Sequence, residues 1–217
     1  PNEVGGINND VQLMLHFIGA EGSVEFPDSS FFPKDMLTFG EVHIQPRPTF
    51  VEGSAAFFDG TDDRLTTPST TSFGIIARDF TLDFEFEYNG TPGVEATLCG
   101  FTDTGLTAVG SAFHVRKTVA DVIEVQLSDG SAFTTFTGTT NIAEGHRHFA
   151  VFRFEGTVFD TINGIIEAQA TFTGDIPQAT SDFGIGSRGG GSTTNLWNGW
   201  IGAFRYTVGT AWWVGAF

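Results

Sequence analysis

Short apolar stretches broken by glycine, proline and aspartate punctuate this chain, and almost every stretch repeats with a period of two. In Asp79-Phe-Thr-Leu-Asp-Phe-Glu-Phe-Glu-Tyr88, Leu82, Phe84, Phe86 and Tyr88 fall on one face and Asp83, Glu85 and Glu87 on the other. That alternation predicts a strand with one buried and one wet face. Val11–Ile18 and His148–Phe154 alternate in the same way. Further strands are predicted at 37–44, 55–58, 64–67, 94–101, 111–117, 121–128, 131–137, 158–162, 165–172, 183–186 and 200–207. Asp59-Gly60, Ser128-Asp-Gly130 and Asn163-Gly164 supply turn chemistry between strands. Pro27 and Pro33, then Pro46 and Pro48, forbid central strands where they stand. The nine residues Ser187–Asn195, three of them consecutive glycines, predict a mobile or ligand-shaped loop.

No window sustains a 3.6-residue period, so the fold class is all-β, a two-sheet antiparallel sandwich. Residues 1–10 are polar and predict an N-terminal arm; 11–217 predict one sandwich ending in an aromatic tail. The 24 phenylalanines against two methionines predict a core built from phenylalanine.

Charge changes the picture of partners. A formal net charge of −16 repels phosphate backbones and anionic lipid, which argues against nucleic-acid and membrane partners. No apolar run approaches the ~18 residues a spanning helix needs. Cys99 is the sole cysteine and sits in an apolar strand, which predicts an inert small hydrophobe and excludes an internal disulfide. The first ten residues lack the basic start and apolar core of a secretory signal, and the expectation drawn from this is synthesis in a host cytoplasm.

Four stretches carry a family resemblance: Leu13–Ser23 with Phe26–Ser30, Ala56–Leu65 followed by Asp79–Phe84, Gly145–Arg153 with Asn163-Gly164, and Ile185-Gly186 with Trp197–Ile201 and Phe204-Arg205. Together they resemble the concanavalin A-like lectin/glucanase superfamily, and within it the laminin-G-like jelly rolls frequent in tailed-phage structural proteins and bacterial surface proteins. The resemblance runs from about 11 to 213 and implies a jelly roll. It departs from the family at Ile18, His146 and Gly202, two of which are positions where an acidic residue is usual.

Candidate chemistry is sparse. Asp59, Asp62 and Asp63 make an oxygen-rich turn of the kind that suits calcium, the only cofactor expected. Trp197 and Trp200, with Arg188 and Asn195 of the glycine-rich loop, are the candidate carbohydrate platform. Trp212, Trp213 and Phe217 predict a hydrophobic tail that docks on a neighbour. Asp83, Glu85 and Glu87 lie two apart, but the spacing differs from the acidic strand of the superfamily's glucanases, and the expectation is a solvated face. His146 and His148 lack a third ligand nearby for a transition metal. No G-x-S-x-G motif supports serine chemistry. The expectation is a non-enzymatic structural module on a virion surface, as head decoration or tail appendage, contacting copies of itself or other virion proteins and gripping host-surface polysaccharide. The alternatives are a calcium-assisted lectin and, behind it, a glycoside hydrolase.

Overall fold

The computed structural model describes residues 10–69, 73, 78–102, 105–209 and 211. The expected N-terminal arm, apart from Asp10, and the expected docking residues Trp212, Trp213 and Phe217 lie outside the described residues.

Among the described residues fifteen strands form two antiparallel sheets, the expected jelly-roll sandwich. In the first sheet, β13 (Ile165–Thr171), β12 (Thr157–Ile162), β11 (His146–Phe154), β6 (Phe80–Tyr88), β15 (Asn198–Val208), β4 (Ser54–Asp59) and β3 (His43–Pro46) lie in that order, with β1 (Val11–Leu15) also on β15. The second runs β10 (Phe133–Thr137), β9 (Ile123–Ser128), β8 (Phe113–Lys117), β7 (Ala96–Phe101), β14 (Phe183–Ile185), β5 (Arg64–Thr67) and β2 (Leu37–Phe39). No described helix is long and apolar enough to cross a membrane.

The stretch 37–44 reads as one strand in sequence but is two, on different sheets. Gly40 turns the chain between them with φ +71°, and a side chain there would strike the Asp63 carboxylate. The break lets residues 37–46 cross from one layer to the other.

Phenylalanine fills the space between the layers. Phe84 stacks on Phe204 at 5.3 Å and 10°, and packs on Phe149 at 5.2 Å. From the opposite sheet Phe183 meets Phe204 at 5.8 Å and Phe101 at 5.6 Å. Each such ring adds about 0.5–1.5 kcal/mol beyond the area it buries. Cys99 is fully buried and burial pushes its thiol well above the ordinary range, which leaves it inert.

Strand β15 organises the first sheet. One of its edges pairs with β6 along its length. The other pairs first with β4, from Asn198 to Ile201, and then with β1, from Phe204 to Thr207. Between them the register with β6 shifts in the Gly202–Arg205 stretch, where Ala203 takes φ 43°. This is a bulge: one extra residue bends the strand and re-aims its side chains.

Lys117 and Asp160 are among the ionisable groups that point into the sandwich. Lys117 is wholly buried, ion-paired to Asp121, 2.8 Å from the Val94 carbonyl and 4.5 Å from the centre of the Tyr88 ring. Asp160 is buried at the far edge, and burial raises its carboxyl to about 6, although the Ala168 amide and its own pull it back. A carboxyl raised by folding holds its proton more tightly in the native state. Its cost is therefore absent below the unfolded value near 4, grows as pH rises to about 6, and stays constant above. Asp160→Asn should stabilise the protein by about 3 kcal/mol at neutral pH and by well under about 1 kcal/mol near pH 4. Denaturant melts of both proteins at the two pH values check this; equal stabilisation at both would contradict it.

Candidate functional site

The outward face of β6 is not the wet surface that alternation suggests. Asp83 and Glu85 are 6 % and 3 % exposed. The loop 47–53 between β3 and β4 roofs Glu85. Phe50 lies over Gly202, where a β-carbon would fall 2.5 Å from its ring, and meets the His146 ring at 4.6 Å. The Val51 amide donates to both oxygens of Glu85, at 3.2 and 3.0 Å. Arg47 reaches Glu87 at 2.6 Å.

Beside this loop, along the bulge, the outer face opens into a recess of about 230 Å³. Met14, Val51 and Ala203 give it apolar surface, the core residues Leu15 and Phe204 border it, and His16, Glu52, Asp83, Glu85, His148 and Arg205 give it polar atoms. Strand periodicity explains the convergence. Arg205 sits opposite Asp83 on β6 and opposite Met14 on β1, while His148 on β11 sits opposite Glu85. Arg205 Nε donates to Asp83 Oδ2 at 2.9 Å. His148 Nε2 lies 3.9 Å from Asp83 Oδ1, His146 Nε2 3.0 Å from Glu85 Oε1, and His16 Nδ1 3.0 Å from Glu52 Oε1. Three of the five histidines thus stand against carboxylates around one recess. Apolar walls with mixed donors and acceptors form the lining a polar organic ligand requires.

The sequence-predicted carbohydrate residues do not assemble into one platform. Trp197 is fully buried against Phe86 at 5.7 Å and Tyr88 at 5.1 Å, so its ring has no face for a sugar; this corrects the expectation. Trp200 is half-buried on the outer face of the first sheet. The Arg47 guanidinium covers its ring at 3.4 Å, Phe57 packs at 5.2 Å, and its Nε1 donates to Gln45 at 2.9 Å. Asn195 belongs to the other sheet's side, donating to Glu95 at 2.6 Å, while its carbonyl accepts from the Thr97 amide.

Arg188 lies in the glycine-rich loop, which packs closely on the second sheet. It lies flat on two glycines of the second sheet. A β-carbon on Gly100 would fall 2.9 Å from the Arg188 backbone, and one on Gly184 2.5 Å from Gly189 N. The Thr102 amide and hydroxyl both donate to the Arg188 carbonyl, and the Gly190 amide to Asp182. The loop's glycines serve close backbone approach.

Asp59, Asp62 and Asp63 do converge, with one carboxylate oxygen from each within 4.8 Å of the others. Asp63 is buried, and both its oxygens already accept backbone amides, from Glu41 at 2.6 Å and Asp59 at 2.9 Å. Burial raises its carboxyl despite those two amides. Asp63 therefore staples the turn to the 40–41 bend, and only Asp59 and Asp62 are exposed.

No protein-family model and no curated protein sequence matches the chain. Solved structures do match its fold. The binding domain of Paraclostridial Mosquitocidal Protein 1 superposes with a TM-score of 0.70 at 11% identity, over 93% of this chain and 50% of that one. The botulinum neurotoxin serotype D binding domain gives 0.67 at 13% identity, over 93% and 49%. A structure of botulinum neurotoxin type C, which depends on interaction with two ganglioside molecules to get into cells, gives 0.65 at 13%, over 94% and 49%. The chain spans about half the length of these structures, and at such identity the likeness is one of fold.

Removing the guanidinium of Arg205 leaves Asp83 buried without its strongest partner. Arg205→Met should cost about 2–4 kcal/mol in a urea melt. A loss below about 0.5 kcal/mol would mean that Asp83 is not held by this pair.

Proposed function

We propose that this chain is a non-enzymatic recognition module that takes a glycan in the recess beside the β15 bulge, and that it does so on the surface of a virion. The observation that carries the reading is the recess itself. It sets apolar surface from Met14, Val51 and Ala203 against donors and acceptors on six polar side chains. Sugars present both kinds of surface, and such a lining matches both at once.

The state of the carboxylates supports the non-enzymatic half. A glycosidase needs one carboxyl free to donate a proton and another free to attack or to activate water. Here Asp83 is committed to Arg205, and Glu85 to the Val51 amide and His146. Among the described residues no tryptophan lines the recess. The matched solved structures are themselves binding domains. In the same reading Asp59 and Asp62 hold calcium at the 59–63 turn, with Asp63 as the fixed anion behind them.

The virion setting rests on the sequence resemblance to tailed-phage jelly rolls, and a surface feature favours a protein neighbour. Segment 31–39 exposes Phe31, Phe32 and Leu37, at 51 %, 59 % and 48 %. Apolar side chains this exposed in one segment mark a contact surface.

A glycan array with and without calcium should show binding that His148→Ala weakens at least tenfold and Asn195→Ala leaves unchanged. Equal binding by both variants would move the site away from the recess, and hydrolysis of an arrayed glycan would overturn the non-enzymatic reading. Light scattering should show self-association or particle binding that Phe32→Ser abolishes; a strict monomer that binds no particle would overturn the structural role.

A further inference from the structure

The charges in the recess bear on which glycan it takes. Glu52, Asp83 and Glu85 contribute three carboxylates, and Arg205 is the sole guanidinium among the lining residues. Arg205 is spent on Asp83 at 2.9 Å. Glu85 is taken by the Val51 amide and by His146 at 3.0 Å, which leaves Glu52, whose side-chain contact is the His16 imidazole at 3.0 Å. With histidine counted neutral, as in the chain's net charge of −16, the recess carries excess negative charge inside a negative protein. Both lysines are elsewhere: Lys117 is buried between the sheets, and Lys34 donates to the carbonyls of Gln12 and Phe32.

Apolar walls strengthen these fields, because less water is present to screen them. A carboxylate or sulfate on an incoming sugar meets like charge here. An ammonium brings three donors to a lining rich in acceptors. At about 230 Å³ the recess lies below the ~300–1,000 Å³ typical of drug-sized sites, which limits it to about one sugar ring, with the rest of the glycan outside.

We infer that the recess selects an amine-bearing sugar, with Glu52 receiving the ammonium group. This rests on the glycan reading above and narrows it by class.

Calorimetry at neutral pH and physiological salt tests it with three probes: kanamycin as the amino sugar, maltotriose as the neutral one, and sialyllactose as the anionic one. Kanamycin should bind at least tenfold more tightly than maltotriose, and sialyllactose least tightly. Glu52 is partly exposed, so Glu52→Gln should fold normally and weaken kanamycin about tenfold, the loss expected for one charge-assisted hydrogen bond. Glu25→Gln, on an exposed residue outside the recess, should change nothing and so separates recess binding from general attraction to an acidic protein. If maltotriose binds as tightly as kanamycin, or Glu52→Gln has no more effect than Glu25→Gln, the amine preference is overturned while glycan binding stands. If none of the three sugars binds, the glycan reading fails and this inference fails with it.

Discussion

A β-strand has two hydrogen-bonding edges, and β15 gives one of them to two different partners. It pairs with β4 over its first half and β1 over its second, while β6 holds its other edge throughout. Such a hand-over needs a local change of register, which the bulge in the Gly202–Arg205 stretch supplies. The cost is a residue with positive φ, Ala203, and a step in the outer surface. Everything distinctive about this face follows from that step. Arg205 is re-aimed onto Asp83, Gly202 leaves room for Phe50 of the roofing loop, and Ala203 and Phe204 line the recess that remains.

The roof explains why the acidic strand is tolerable. Two carboxylates at 6 % and 3 % exposure would be costly without partners. Each receives them from a different part of the chain: Arg205 from β15, the Val51 amide from the loop, His146 and His148 from β11. The second sheet shows the opposite solution. Its outer face carries Gly100 and Gly184, and a glycine-rich loop lies directly on that backbone. One sheet covers polar side chains and keeps a recess; the other is covered flush and keeps none at that position.

Much of the fold was legible in the sequence because it is local. Alternation over Phe80–Tyr88 identified the strand and assigned each residue to a face, and Asn163-Gly164 located the β12–β13 hairpin. What alternation cannot say is whether an outward face meets water or another segment. Pro48 marked a loop correctly, while Pro46 ends the edge strand β3, and nothing local says where a loop folds back. Gly40 likewise gave no sign that 37–44 would divide between sheets, since the division depends on the distant Asp63 turn. Trp197 misled because a tryptophan just before a closing strand reads alike whether its ring turns in or out, and here it turns in against Phe86 and Tyr88. The recess residues were scattered over His16, Glu52, Asp83, His148 and Arg205, and only the hand-over along β15 brings them together.

Hydrogen–deuterium exchange on the protein with and without a glycan that it binds would test this account most directly. Protection concentrated at 14–16, 51–52 and 203–205 is the predicted result, because those backbone segments border the recess. Protection at 59–63 and 187–195 instead, with 203–205 unchanged, would contradict it.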